Sequence, residues 1–527
     1  MSAAYLAVVD QSTSGTKALI VGRDGRVVAR ASATHRQYDP QPGWVEHDPL
    51  EIYANVKRAL REAMSRAGLA STQLAALSIT NQRETAVMWD SATGRPLCPA
   101  IVWQCRRTAD RCAELAAAGH AEAVRASTGL MLDPYFSATK WGWMLEQVPQ
   151  AAELLVAGRL RLGTVDSWLV WQMSAGRMHA TDYTNASRTS LFNIHTLQWD
   201  EAMCELFGVP LAALPEVRDS DGEYGMTADP ELFDTPVPIR GVIGDSQGAL
   251  LGHLCLEPGM AKATYGTGTS VLMTTGERPA AQSGGGLVQA LAWSRGGRVT
   301  YALEAVIRTT GDTMRWVRDE LGLFRDFEEL ERLLAGIEDN EGVYLVPAFV
   351  GMGAPYWDPY ARAAISGLSR TSGRAHIALA ALESTAYQVH DAIRLLQGES
   401  GTPLLELRAD GGATPNARLM QVQADLLNRP VARAEIAELS ALGAAYLGGL
   451  ASGLWSDTEE LAALQKPYTR FAPAMEAGLR ARKLGGWVDA VAAVVGRSSG
   501  APRGGSVPSQ GTASWSGATG LMDTSDA

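Results

Sequence analysis

One local pattern occurs twice in this chain. At 5–21 the apolar run Tyr5-Leu6-Ala7-Val8-Val9 enters the polar stretch Asp10-Gln11-Ser12-Thr13-Ser14-Gly15-Thr16-Lys17 and leaves through Ala18-Leu19-Ile20-Val21. At 263–273, Ala263-Thr264-Tyr265 passes through Gly266-Thr267-Gly268 into Thr269-Ser270-Val271-Leu272-Met273. Each reads as strand, tight polar turn, strand. A chain of 527 residues is too long for one core. The repeat therefore points to two halves built on one plan, facing each other across a cleft. Between the hairpins, apolar strands alternate with helical stretches, the mark of α/β layers. Leu74–Thr80 reads as a strand, and Pro49–Gly68 as a helix with Asp48 as N-cap, Pro49 at N1 and Gly68 as its stop. Gly241–Gly252 reads as strand, polar turn and apolar helix, and Leu404–Ala409 as a strand feeding the loop Asp410-Gly411-Gly412.

The first hairpin suits the end of a nucleotide. Backbone N–H groups and hydroxyls can cradle phosphate oxygens, Lys17 adds a point charge, and Asp10 can hold Mg²⁺ directly or through water. The Gly-x-x-x-x-Gly-Lys-Ser/Thr spacing of a P-loop is absent. Taken alone, an ordinary Ser/Gly turn explains the stretch equally well, and the Asp-Gly-Gly loop alone reads as a plain connection.

A formal net charge of −11 argues against a general nucleic-acid binder. No run approaches the ~18 apolar residues of a membrane span. The N-terminus enters a strand at once, without the pattern of a secretory leader. Cys98, Cys105, Cys112, Cys204 and Cys255 form no Cys-x-x-Cys pair, so reduced thiols and a cytoplasmic location are expected. His47, just before the helix cap, is expected to be structural. From about Arg497 the chain turns Ser/Gly-rich, and 497–527 is expected to be a disordered tail.

Longer motifs carry a resemblance. Phe136-Ser137-Ala138-Thr139-Lys140-Trp141-Gly142-Trp143 is similar to the first signature of the FGGY carbohydrate kinases. Ala363-Ala364-Ile365-Ser366-Gly367-Leu368 followed by His376–Glu383 is similar to the second. Within that family the chain most resembles the glycerol kinases. The segments that carry this are Pro42–Pro49, Thr80–Thr85, Ile101–Arg107, Asp133–Phe136, Asp182–Thr189 and Gly353–Tyr360. The resemblance spans about 5–490. It implies an α/β fold of two actin-like (ribonuclease H-like) ATPase domains with an interdomain cleft, divided as 1–252 and 253–496. The implied reaction is transfer of the ATP γ-phosphoryl to a terminal hydroxyl of glycerol, giving glycerol 3-phosphate and ADP. The implied partners are a small polyol and ATP with Mg²⁺, in a homo-oligomer (dimer or tetramer).

The resemblance makes Arg83, Glu84, Tyr135 and Asp245 the polyol-binding residues, with Trp103 as an apolar wall and Asp245 as catalytic base. Asp10 would hold Mg²⁺. Thr13, Ser14 and Lys17 would meet the phosphates, with Thr267 and Gly311 alongside, while Gly411 and Asn416 would lie at the adenosine end. Four positions depart from the family's usual pattern. Lys17 stands for Arg and Arg315 for a Gln that contacts ATP. Ser246 stands for Gln and Ser270 for a Phe wall, which implies a roomier, more polar pocket. The residues alone leave other readings open: Arg83 and Glu84 as a surface pair, and Asp245 as a helix N-cap. At the level of function the alternatives are a kinase of a four- or five-carbon polyol or ketose and a non-catalytic nucleotide-binding relative.

Overall fold

The computed structural model describes residues 4–280, 286–358, 360–464 and 468–495. The tail at 497–527 and Pro359 of the Gly353–Tyr360 motif lie outside the described residues.

The first large sheet is built on β1 (Tyr5–Ser12), β2 (Gly15–Gly22), β3 (Val27–Thr34), β4 (Leu74–Asn81) and β5 (Pro238–Gly244). Its order is β5-β4-β1-β2-β3, with the short strand Glu223–Met226 outside β5. The meander β1-β2-β3 is antiparallel, whereas β4 runs parallel to β1 and β5 parallel to β4. The second sheet is built on β6 (Met260–Tyr265), β7 (Thr269–Gly276), β8 (Arg298–Ile307), β9 (Glu406–Asp410) and β10 (Val431–Ala434). It repeats the plan: β6-β7-β8 is an antiparallel meander, and β9 and β10 add in parallel beyond β6. Strands Val288–Arg295 and Tyr468–Phe471 extend its two edges. The likeness legible at the two hairpins thus runs through five strands of each half.

The hairpin tip is tighter than the polar composition suggests. Only Thr13 and Ser14 lie outside the strands, and Asp10 pairs with Lys17 across the ladder. At Gly15 a Cβ would lie 2.7 Å from the Ala33 carbonyl oxygen, so glycine lets β3 close against the tip.

Helix α1 (Pro49–Ala67) forms for local reasons. The Asp48 carboxylate accepts from the Leu50 N–H at 2.9 Å, Pro49 occupies the first turn, and Gly68 ends the helix at φ +64. Its buried residues Ile52, Val56, Leu60 and Ala63 pack on Ala7, Val9, Ala18 and Ile20. Fully burying side chains such as Ile52 and Leu60 contributes about 1.5–3 kcal/mol each. The opposite face of the sheet, Leu6, Val8, Leu19 and Val21, is equally dry. Both faces are covered, which explains apolar runs with no alternation. His47 is fully buried against His35, as its place before the cap suggested.

Further elements that frame the site are α2 (Ser137–Gln147), α3 (Tyr183–Ala186), α4 (Asp245–Gly252), α5 (Gly311–Asp319), α6 (Arg374–Ser400), α7 (Ala417–Leu427) and α8 (Leu439–Ala451). The second face of the first sheet rests on α4 and α8, whose other contacts include Leu272 and Ala302 of the second sheet. Helices α4 and α8 touch backbone to backbone. A Cβ at Gly248 would lie 2.8 Å from the Ser440 carbonyl oxygen, and one at Gly252 or Gly443 would strike the opposing main chain. This small-residue crossing locks α4, which carries Asp245 at its first position, between the halves. No polar turn separates β5 from α4: the strand passes directly into the helix through Gly244. Among the described residues no helix is long and apolar enough to cross a membrane.

Candidate active site

The loop after β4 places Arg83 and Glu84 inside the protein, not on its surface. Glu84 adopts φ +61, a left-handed conformation uncommon for a side chain of this size. Three contacts hold it there: the Ser137 hydroxyl donates to its carbonyl at 3.0 Å, the Thr85 N–H bonds Arg83 O at 2.7 Å, and Arg188 Nε donates to its Oε1 at 2.5 Å.

Arg83 reaches across to the other half. Its Nη2 donates to Glu304 Oε1 at 3.0 Å and its Nη1 to Glu304 Oε2 at 3.3 Å, with Gln247 Oε1 at 3.1 Å. Its Nε lies 3.1 Å from Asp245 Oδ1. Arg188 Nη1 pairs with Glu304 Oε2 at 2.7 Å. Glu84, Arg188, Glu304 and Arg83 thus form a buried ring of alternating charge with no net charge. Burial pushes both carboxylates up. At Glu304 the Arg188 and Arg83 guanidiniums more than offset it and hold the group well below the usual range, while Glu84 stays raised. Burial alone would lower the Arg83 pKa, but Glu304, Glu84 and Asp245 together raise it.

Tyr135 precedes α2, its ring 5.3 Å from that of Trp103. The Trp103 indole N–H donates to Thr13 Oγ1 at 2.9 Å, so the aromatic wall is tied to the first hairpin tip. Lys140 of α2 donates to the carbonyls of Tyr135 and Phe136 at 2.5 and 3.0 Å, and burial lowers its pKa to about 8. Asp10 is buried at the foot of the hairpin with Lys17 Nζ 3.9 Å away. Burial raises its pKa to about 6; Lys17 opposes this and the negative charge of Asp245 adds to it. Residues Asp10 and Asp245, far apart in the chain, therefore act on each other electrostatically. Asp245 keeps 36 % of its side chain exposed. Ser270 donates to Glu304 Oε1 at 3.0 Å, and Ser246 gives its backbone N–H to Asp245 Oδ1 at 2.7 Å.

The residues expected at the nucleotide gather on the second half. Thr267 is exposed at its hairpin tip, Arg315 Nη2 donates to its Oγ1 at 3.0 Å, and the Gly311 N–H bonds Gly266 O at 3.1 Å. Arg315 also pairs with Asp312 at 2.9 Å. Gly411 holds φ +101 beside β6, where a Cβ would lie 2.7 Å from the Tyr265 nitrogen. Asn416 is occupied structurally: it caps α7 through the Leu419 N–H at 2.8 Å and donates to Glu331 at 2.7 Å. Ser14 and Lys17 remain open to solvent at the first hairpin.

Sequence reading missed Glu304, Gln247, Arg188 and Lys140. The last two lie inside motifs that carried the resemblance, whereas Glu304 sits in an apolar strand without any local signal.

Gly244 explains how Arg83 fits. A Cβ there would lie 2.8 Å from both Cγ and Cδ of Arg83. Gly244→Ala is expected to displace the guanidinium and weaken hydrogen bonds worth about 1.5–3 kcal/mol for a charged donor. On the expectation that Arg83 binds the acceptor, the acceptor's KM should rise about tenfold or more, with the KM for nucleotide unchanged. Steady-state kinetics with each substrate varied in turn checks this split.

The profile of the FGGY family of carbohydrate kinases, N-terminal domain, matches residues 5–252, and that of its C-terminal domain matches 261–452. The chain belongs to the FGGY family of carbohydrate kinases. It is 50% identical over 491 residues to the glycerol kinase of Symbiobacterium thermophilum, covering 93% of this chain and 98% of that one. It is 51% identical over 487 residues to the glycerol kinase of Aromatoleum aromaticum, covering 92% and 98%. Among solved structures, the Plasmodium falciparum glycerol kinase with ADP superposes with a TM-score of 0.89 at 34% identity, covering 94% of this chain and 98% of that one. The xylulose kinase of Rhodospirillum rubrum, at 23% identity and a TM-score of 0.83 over 94% of this chain and 99% of that one, shares the fold.

Proposed function

We propose that this FGGY kinase transfers the γ-phosphoryl group of ATP to a terminal hydroxyl of glycerol, giving glycerol 3-phosphate and ADP. The observation that carries this is the junction of Arg83, Glu84, Tyr135 and Asp245 beside the Asp10 hairpin, in a chain about half identical to glycerol kinases. Arg83 and Tyr135 donate to acceptor hydroxyls and Glu84 and Asp245 accept from them. Asp245 orients the attacking hydroxyl and takes its proton late, so it needs no unusual basicity. Trp103 offers its face to the carbon chain. In this reading Thr13, Ser14, Lys17, Thr267, Gly311 and Arg315 meet the phosphates, and Gly411 and Asn416, the latter also capping α7, lie at the adenosine end.

A divalent cation fits Asp10. It is a buried carboxylate whose charge is disfavoured by burial and by Asp245, and a bound cation would relieve both. Mg²⁺ there would neutralise phosphate charge. Because the carboxyl is raised to about 6, its protonated form favours the metal-free fold at low pH, and that contribution is lost as pH rises through about 6. Mg²⁺ should therefore raise the Tm more at about pH 7.5 than at about pH 5, and Asp10→Asn should erase the difference. Thermal melts with and without Mg²⁺ at both pH values check it.

One observation favours a longer acceptor: Ser270 presents a hydroxyl bonded to Glu304 where the family usually has a Phe wall. A coupled ADP-release assay over glycerol, tetritols, pentitols, tetruloses and pentuloses decides between the two. Glycerol with the highest kcat/KM upholds the main reading, and a four- or five-carbon substrate at the top replaces it. The same reading divides the chain into domains at 1–252 and 253–496, which is supported by a first family match that ends at residue 252. A cytoplasmic location is supported by five free thiols, and a homo-oligomer by the family resemblance.

A further inference from the structure

Side chains on β8 alternate between two faces. Leu303, Ala305 and Ile307 enter the core of the second half. Ala302 and Glu304 face the first half, Glu304 through the charge ring. Val306 and Arg308 continue that row outward, half-buried and then exposed. On the neighbouring strand Leu272 stands opposite Glu304 and Ser270 opposite Val306. The next rung outward brings Gly268 beside Arg308, where a Cβ would lie 3.0 Å from the Arg308 carbonyl oxygen. Arg308 thus stands at the junction between the acceptor side, Ser270 and Glu304, and the phosphate side, Thr267 and Gly311.

Its surroundings are built to hold it. The Trp357 ring lies 6.0 Å from the guanidinium carbon. Trp357 itself takes φ +48, an outlier for so bulky a residue, and such strain clusters at functional sites. Gly353 lies beside the stem, where a Cβ would make an ordinary contact with Arg308 Cγ at 3.7 Å. Lys17 also lies 3.9 Å from Asp10, and Arg315 2.9 Å from Asp312. Among the described residues Arg308 makes no ion pair or hydrogen bond, only the contact with Trp357.

We propose that Arg308 is a further catalytic residue, which hydrogen-bonds the phosphoryl group during its transfer from ATP to the acceptor. This rests on the kinase reading above. The bond from phosphorus to the ADP oxygen breaks, the bond to the acceptor oxygen forms, and the hydroxyl proton passes to Asp245. The Arg308 guanidinium offsets negative charge on the oxygens of the moving group.

The test compares wild type with Arg308→Met, which keeps the stem against Trp357, and Arg308→Lys, which keeps the charge. Arg308→Met should lower kcat about a hundredfold or more, with KM for glycerol and for ATP within about threefold of wild type. Arg308→Lys should recover at least about a tenth of the wild-type rate. An unchanged kcat in Arg308→Met, a loss confined to the glycerol KM, or a lysine variant as slow as the methionine variant would each overturn the proposal while leaving the kinase reading intact. A wild type that releases ADP with no polyol would defeat the kinase reading and this proposal with it.

Discussion

Asp245→Asn is expected to lower kcat by about a thousandfold, a barrier increase of about 4 kcal/mol, while ATP affinity and Tm stay close to wild type. Asp245 Oδ1 is engaged by Arg83 Nε at 3.1 Å and by the Ser246 N–H at 2.7 Å. In the proposed reaction its Oδ2 meets the acceptor hydroxyl. Asparagine keeps the shape and the Oδ1 contacts but cannot take a proton, and loss of a general base removes about 10²–10⁴ in rate. Stability changes little because the side chain is more than a third exposed and its pairing with Arg83 is partly screened by water. Steady-state kinetics, calorimetric ATP titration and a thermal melt measure the three quantities. A variant that keeps more than about a tenth of wild-type kcat, under ~1.4 kcal/mol of barrier, rules Asp245 out as the base.

Glu304→Leu is expected to destabilise the fold by about 3–5 kcal/mol, the usual cost of removing one partner from a buried ion pair. The buried guanidiniums of Arg83 and Arg188 then lose the carboxylate they share and keep only Glu84 and, for Arg83, the partly exposed Asp245. Ser270 loses its acceptor as well. Arg188→Met upsets the balance in the opposite direction and should cost a similar amount. Combining the two leaves one Arg and one Glu in the ring, so the double variant should recover about 1–3 kcal/mol relative to additivity. Urea unfolding of the three variants reads this directly. A loss below about 1 kcal/mol for Glu304→Leu would mean that water reaches the ring and screens it.

How much was legible can be judged element by element. Asp48, Pro49 and Gly68 specify α1 through contacts within a few residues of each other, and the helix begins and ends where they place it. The hairpins were equally readable, although the polar stretch suggested a wider turn than the two-residue tip that forms. The poor strand propensity of Asp10 and Lys17 is overridden by ladder pairing with β4 and β3. The irregular motifs pointed to the family and hence to Arg83, Glu84, Tyr135 and Asp245.

The sequence by itself determined the local units: the capped helix α1, the two hairpins and the apolar strands. Those rest on short-range sterics and hydrogen bonding, which a linear pattern records. Only the tertiary structure decided that Glu304 neutralises Arg83 and Arg188, that Gly244 makes room for the Arg83 stem, and that Asn416 is spent on capping α7. A single glutamate in an apolar strand, or a single glycine before a helix, carries no signal of its partner. Its meaning is set by whatever the fold brings within a few ångströms, and here the pairing of two duplicated sheets through α4 and α8 brings residues from both halves into one site.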